Sequence, residues 1–431
     1  MDQFDQNISV SNSEGEKNWA GNITYSTTKI DRPSSVEEIQ ELVRDHASLR
    51  TLGSRHSFNR IADSSQLLVS MENMQEVLAL DKVQHQVKIQ SGCRYGDIAL
   101  FLHENGYALH NLASLPHITV AGAVATATHG SGVKNQSLAS AVSALEFVDG
   151  RGQLVTVSRQ ESPDIFDGMV VSLGAIGIVT SLTLDLQPAF EMKQTVYLDL
   201  PFSSLQKDFL KIVSSAYSIS LFTDWTSNTV GEVWVKQKSD EACTERIEDA
   251  LAATEDVHPI HGESAVNVTT QRGIAGPWYE RLPHFKMGFK PSAGAELQSE
   301  FFMPLEMAVD AMRALQELSA LIKPVLLISE IRTIAADNFW MSPFYHRTSV
   351  AFHFTWKQEV ERVMKVLPVI EAALMPFGVR AHWGKLFTLS PGYIGSQYEK
   401  LQDFKALLKR FDPEGKFRND YVNNYVFNGQ A

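Results

Sequence analysis

Between Ser114 and Ser131 the chain holds almost only small residues and hydroxyls, within the longer run Asn111-Leu-Ala-Ser-Leu-Pro-His-Ile-Thr-Val-Ala-Gly-Ala-Val-Ala-Thr-Ala-Thr-His-Gly-Ser-Gly132. Such a stretch cannot fill a hydrophobic core, but it lets backbone approach a bound molecule closely. The same composition also suits a Gly/Ala-rich packed loop or the start of a helix. A second stretch, Thr51-Leu-Gly-Ser-Arg-His-Ser-Phe-Asn59, raises the same choice with a histidine at its centre. Ahead of it runs a helix pattern from Ser35 to about Ala47, with Ser35 and Glu38 at capping-box spacing and Val36, Ile39, Leu42 and Val43 on one face. Leu49 to Leu52 then reads as a brief strand ended by Gly53. Gly53, Ser54 and Ser57 leave successive backbone N–H groups unobstructed, an arrangement that holds a diphosphate without a lysine. His56 projects from the same loop toward whatever the diphosphate carries, unless it is simply a polar turn residue.

At 431 residues the chain is too long for one ordinary core and suits two domains. A net charge of −12 without a long Lys/Arg run argues against a nucleic-acid or anionic-membrane surface and for a small, mostly neutral substrate. No run of about eighteen apolar residues is present to span a bilayer. Cys93 and Cys243 are far apart and lack metal-ligand spacing, so a reducing cytoplasm is expected, with neither a disulfide framework nor a structural zinc. The first 17 residues, polar and acidic, are expected to form a disordered tail. Gly174 and Gly177 do not make a G-x-G-x-x-G turn and no GxxxxGK[ST] occurs, which weakens nicotinamide binding and NTPase activity alike.

Further strands are expected at 67–70, 86–90, 181–186, 195–200, 218–222 and 232–236. A hairpin is expected around Asp149-Gly-Arg-Gly152, and helices over 98–105, 163–172, 304–322 and 357–375. Pro188 marks a boundary where the Gly/Ala/Ser-rich texture gives way. In Val325-Leu-Leu-Ile-Ser-Glu-Ile-Arg-Thr333 the period of two puts Glu330 and Arg332 on one face, and in Ser349-Val-Ala-Phe-His-Phe-Thr-Trp356 it does the same for His353 and Thr355. Those faces either line one cavity or form two solvated surfaces with a cross-strand ion pair. In Arg380-Ala-His-Trp-Gly-Lys-Leu-Phe387 a lysine sits in a segment read as an apolar strand, so its ammonium is expected to be desolvated or paired.

Taken together, these residues resemble the vanillyl-alcohol-oxidase type of FAD flavoprotein, and within it the alditol (xylitol) oxidases and the related sugar-lactone oxidases. Gly53-Ser-Arg-His-Ser-Phe58, Ser114-Leu-Pro-His-Ile118, Thr128-His-Gly130, Ser172-Leu-Gly174, Glu330-Ile-Arg332 and His382-Trp-Gly-Lys385 carry the likeness in family order, over nearly the whole chain. The resemblance implies an α+β, two-domain fold: a PCMH-like FAD domain over 1–188, a mixed-sheet substrate domain over 189–378, and a segment 379–431 packing back on the first. It implies that FAD is bound covalently through His56, lined by Thr51, Leu52, Gly53, Ser54, Arg55, Ser57, Ser114, Thr119, Gly122, Ala125, Thr126, Ala127, Thr128 and Val179. Substrate is implied to meet Ser114, Glu330, Arg332, His353, Thr355 and Lys385, with Arg332, Lys385 and His353 catalytic. Arg55 stands where many relatives have glycine, and either crowds the cofactor loop or salt-bridges a phosphate.

The chemistry expected is oxidation of a terminal polyol hydroxyl with O2 reduced to hydrogen peroxide, by a monomer without nucleic-acid, membrane or metal partners. Arg332 and Lys385 suit an alkoxide, and His353 suits either a proton acceptor or a hydroxyl partner. An aldonolactone oxidase or dehydrogenase is the alternative within the family. A flavin-binding protein without turnover is another, against which the Arg332/Lys385 pair argues. A metal hydrolase using His117, His129 and Glu330 is a third, unsupported by metal-ligand spacing.

Overall fold

In the computed structural model, residues 15–241, 247–288 and 295–429 are described. The chain starts with local signals that resolve as read. Ser35 caps the helix Val36–Asp45 by accepting from Glu38 N, worth about 1 kcal/mol for a cap of this kind. Glu38 returns its carboxylate to Ser34 N at 2.7 Å, one residue earlier than a standard capping box. Ile39 and Val43 are buried beneath that helix. The strand Leu49–Leu52 follows and lies parallel to Leu67–Ser70, which also pairs with Ile30–Asp31.

A second, five-stranded antiparallel sheet runs in the order Val77–Asp81, Gln86–Gln90, Ile178–Asp185, Val142–Val148, Leu154–Ser158. The hairpin at 149–152 is present, with Asp149 accepting from Arg151 N and Gln153 N and Gly152 at φ 74°. Val77–Asp81 was not anticipated, because its apolar residues are half-exposed and alternate weakly.

Among the described residues the third sheet has nine strands, drawn from residues 191–381, and every pairing between them is antiparallel rather than mixed as expected. One of its faces is apolar and shares a core with the helices Phe202–Val213, Ala308–Glu317 and Val360–Leu374, while the other carries the polar side chains discussed below. Antiparallel sheets commonly differ in this way between faces. Phe352, Phe354 and Trp356 are wholly buried on the apolar side, and Trp356 Nε1 donates to Ser299 Oγ at 3.1 Å.

Three expectations change. The helix read over 304–322 is broken: Pro304 ends the strand Glu296–Pro304, a 3-10 turn Leu305–Met307 follows, and Leu318 separates Ala308–Glu317 from Ser319–Ile322. Lys385 lies in a turn after the two-residue strand Arg380–Ala381, its N–H donating to His382 O at 3.0 Å, because strand pairing ends at Ala381. Residues 15–17 are not tail. Lys17 pairs with Thr24 and Glu16 accepts from Arg55; residues 1–14 of the expected tail, and Cys243, lie outside the described residues.

The last segment is tied to the first two sheets by buried polar groups. Arg50 donates to the carbonyls of Gly174, Leu173, Ile61 and Phe417, and burial among them lowers its pKa to about 10. Lys416 Nζ reaches Val43 O at 2.8 Å. Cys93 is a buried free thiol, and among the described residues no helix is long and apolar enough to cross a membrane.

Candidate active site

One large cleft, holding about 1540 Å3 of unfilled space including its mouth, runs between the parallel strands and the polar face of the nine-stranded sheet. Thr51 to Ser57 line it, together with Ser114, Thr119, Gly122, Ala125, Thr126 and Thr128. Two expected lining residues do not reach its wall. Ala127 is fully buried, and Val179 stands in strand Ile178–Asp185 opposite Phe147.

The two small-residue stretches meet at this cleft. A Cβ on Gly53 would lie 2.2 Å from Thr119 Oγ1, so only glycine permits the approach, and Thr119 N donates to Ser54 Oγ at 3.2 Å. The 114–131 stretch supplies both alternatives raised above, since it lines the cleft and contains the short helix Val120–Ala125. Arg55 adopts φ 61°, a left-handed conformation that glycine takes at little cost. Its guanidinium pairs with Glu16 at 2.6 Å, so its partner within the chain is an N-terminal carboxylate.

His56 is stacked on Trp19 with ring centroids 5.1 Å apart and an interplanar angle of 19°. Both of its ring nitrogens are buried without a hydrogen-bond partner, and burial lowers its pKa to about 4. Unpartnered buried polar atoms are uncommon in folded proteins. A neutral imidazole with a free lone pair, beside a glycine-backed loop, fits a cofactor that supplies an electrophilic carbon and an anionic diphosphate.

The opposite wall is the polar face of three adjacent strands. Glu330 of Leu326–Ile334 stands opposite His353 of Ser349–Lys357, and Glu300 of Glu296–Pro304 stands opposite His353 on its other side. Glu300 is the hub. Its Oε1 accepts from Arg332 Nη2 at 2.5 Å and lies 3.3 Å from His129 Nε2, while Oε2 accepts from Lys385 Nζ at 2.7 Å. Burial raises the Glu300 carboxyl, but Arg332 and Lys385 outweigh it and hold the pKa well below the usual range.

Arg332 Nη1 donates to Ser114 Oγ at 3.2 Å, which carries the network across to the small-residue stretch. Burial disfavours the guanidinium, yet Glu300 and Glu330 more than restore it. Burial lowers the Lys385 pKa, with Glu300 opposing. Lys385 Nζ also meets His353 Nδ1 at 2.8 Å, and His353 Nε2 meets Thr355 Oγ1 at 3.1 Å. Burial and then Lys385 bring His353 to about 4, so it is neutral at neutral pH.

Ser114, Glu330, Arg332, His353, Thr355 and Lys385 therefore all line one cleft. Reading the sequence missed Glu300, Gln298 and His284 on the wall, and Lys236 behind it. The period-two run Glu296, Gln298, Glu300 was a usable signal. Lys236 Nζ donates to Leu282 O, Pro283 O and His284 Nδ1 at 2.6, 2.9 and 3.0 Å, and His284 Nε2 lies 2.8 Å from Glu330 Oε1. Nothing local in the sequence joins those residues. The metal trio is dispersed: His117 Nε2 is bonded to Met287 O, His129 turns to Glu300 and Glu330 to His284. Among the described residues, no three His, Cys, Asp or Glu side chains gather as a metal site.

Residues 28–158 match the family described as FAD binding domain, and residues 295–425 the family described as D-arabinono-1,4-lactone oxidase. The alditol oxidase of a Streptomyces species is 43% identical over 412 residues, covering 95% of this chain and 98% of that protein. L-gulono-1,4-lactone dehydrogenase of Mycobacterium tuberculosis is 25% identical, again over 95% of this chain and 98% of the other. The crystal structure of cholesterol oxidase from B. sterolicum shares the fold, with a TM-score of 0.76 over 95% of this chain and 96% of that one at 13% identity. Fold and cleft together define an FAD-binding flavoprotein. Within that class, the chain belongs to the alditol oxidase family.

Proposed function

We propose that the protein is an FAD-dependent alditol oxidase that converts a terminal primary hydroxyl of an acyclic polyol such as xylitol or sorbitol to the aldehyde. When bound, FAD accepts two electrons from the alcohol and passes them to O2, giving H2O2. Thr51 to Ser57 would hold its diphosphate by backbone N–H groups, and His56 would be the residue that carries the flavin covalently. The FAD unit comprises residues 1–188 with 379–431, apart from the edge strand Arg380–Ala381, which pairs with Glu296–Pro304 of the substrate unit 189–378.

The observation that carries this reading is the pairing of Arg332 and Lys385 on Glu300, beside a neutral His353, in one desolvated cleft. Both cations favour the oxygen of a hydroxyl as its proton leaves, and fixed charges act more strongly where water is excluded. Lys385 donates to His353 Nδ1, so Nε2 carries the hydrogen that faces Thr355 Oγ1, and His353 takes a hydroxyl proton only as Lys385 gives up Nδ1. Glu330, Thr355 and Ser114 suit the remaining hydroxyls of an extended polyol. A substrate lacking one of those hydroxyls leaves a site group unpaired.

A second reading, oxidation of an aldonolactone, is favoured by the match of residues 295–425 to a lactone-oxidase family. A peroxide-release screen over xylitol, sorbitol and several aldonolactones separates the two, with polyols expected to turn over fastest. Fast lactone turnover with inert polyols overturns the first reading. An artificial electron acceptor that outperforms O2 makes the protein a dehydrogenase.

A further inference from the structure

Lys236 and His284 form a buried pair behind Glu330 to which no step above assigns a task. Lys236 is 1% exposed and lies mid-strand in Thr229–Lys238, with its ammonium pointing at three acceptors and no carboxylate among them. Two backbone carbonyls take two of its hydrogens and His284 Nδ1 takes the third. The imidazole itself is wedged edge-on against Trp234 and Phe222, at centroid distances of 5.1 and 5.5 Å, so its plane cannot turn freely.

This arrangement determines which nitrogen of His284 carries the proton, and it does so from both ends. Burial pushes the Lys236 pKa well down, with the Glu330 carboxylate opposing; as an ammonium Lys236 only donates, so Nδ1 offers its lone pair. Glu330, kept ionised by Arg332 and His284 against the opposing effect of burial, has only lone pairs to offer, so the nitrogen 2.8 Å from its Oε1 must carry hydrogen. Both requirements select the Nε2–H form. Glu330 Oε1 is then occupied by His284, with Arg332 Nε 3.6 Å away. No hydrogen bond from the described residues reaches Oε2, and Glu330 lines the cleft.

We propose that Lys236 and His284 are positioning residues that lock Glu330 as a fixed, acceptor-only carboxylate, so that the site selects a substrate presenting a hydroxyl donor there and rejects one presenting a carbonyl oxygen. The proposal deepens the polyol reading and rests on it. A polyol carries a donor at every carbon. An aldonolactone also carries hydroxyls, but its carbonyl carbon offers only an acceptor, so a pose that brings that carbonyl to Glu330 sets two oxygens against each other with no hydrogen between them. Rejection of this kind is strong, because a buried polar group left unpaired has no water to fall back on.

The test is a set of variants in the flavin-loaded protein, assayed with xylitol and with an aldonolactone. His284→Leu removes the donor to Glu330, whereas His284→Gln keeps an amide N–H for it. The first is expected to raise the xylitol KM about tenfold or more with kcat changed little, and the second to restore most of that loss. Lys236→Met is expected to raise KM similarly, and to add almost nothing when combined with Glu330→Gln, because all three act through one carboxylate. A merely structural role makes the Lys236 and Glu330 effects add and gives no rescue by glutamine, and either result overturns the proposal. 15N spectra of histidine-labelled protein read the tautomer without turnover: wild type is expected as Nε2–H, and an Nδ1–H signal refutes the lock. If wild type oxidises no polyol while His284 is Nε2–H, the polyol reading fails and the lock stands.

Discussion

Lys385 and Glu300 form a 2.7 Å ion pair that fastens a turn late in the chain to Glu296–Pro304, the strand next to one edge of the nine-stranded sheet, with the Glu300 side chain wholly inaccessible. The pair sets the position of one of the two cations in the cleft, and Glu300 holds the other, Arg332, through its second oxygen. Glu300→Gln leaves both with less countercharge. Breaking a buried ion pair on one side costs about 3–5 kcal/mol, so this variant is expected to melt at a lower temperature and to lose roughly a hundredfold in turnover. An unchanged melt with unchanged turnover means that Arg332 and Lys385 are held by other contacts.

Lys385→Met removes the ammonium and keeps the volume of the side chain. Loss of one preorganised charge donor slows catalysis by about 10²–10³-fold. Flavin content should stay at the wild-type ratio, since the cofactor loop is built from 51–57. Anaerobic stopped-flow reduction by xylitol checks this, and an unchanged rate takes Lys385 out of the reaction.

His56→Ala bears on the cofactor linkage. Acid precipitation of wild-type protein should leave the yellow colour in the pellet, whereas any flavin bound by the variant should go to the supernatant. Flavin released by acid from the wild type contradicts a bond to His56.

Stability should fall on the acid side, with a sign that follows from the buried imidazoles. Burial lowers His284 and His353 from 6.5 to about 4. Between those limits the unfolded chain binds protons that the folded chain does not, so stability decreases as pH drops from about 6.5 toward 4. Glu300 and Glu330, depressed in the folded state, add a loss in the same direction once pH passes below the ordinary carboxylate range. Thermal melts at pH 7 and pH 4.5 measure it. Equal melting temperatures show that these groups are not buried as described.

Local signals carried a good part of the architecture. The cap at Ser35, the strand over 49–52, the hairpin at 149–152 and the period-two faces of 325–333 and 349–356 each depend on residues a few positions apart. Where a reading failed, the deciding partner was distant. Pro304 resembled a helix start but ends a strand whose register is set by 349–357. Lys385 was read inside a strand because its neighbours are apolar, yet its turn is held against Glu300, 85 positions away. Arg55 pairs with Glu16, 39 positions away.

Family resemblance implied the roles of Ser114 and Lys385, and from the sequence alone came the Thr51–Asn59 loop around His56, the small-residue stretch, and the shared faces of Glu330 with Arg332 and of His353 with Thr355. Those features are properties of side-chain size and of alternation along a strand, which need no partner to be seen. Whether the polar faces met water or one another was decided only in three dimensions. The strands of Glu300, Glu330 and His353 lie side by side through antiparallel register between segments tens of residues apart, and hydrogen bonding across that register made Glu300 and the Lys236–His284 pair part of the site.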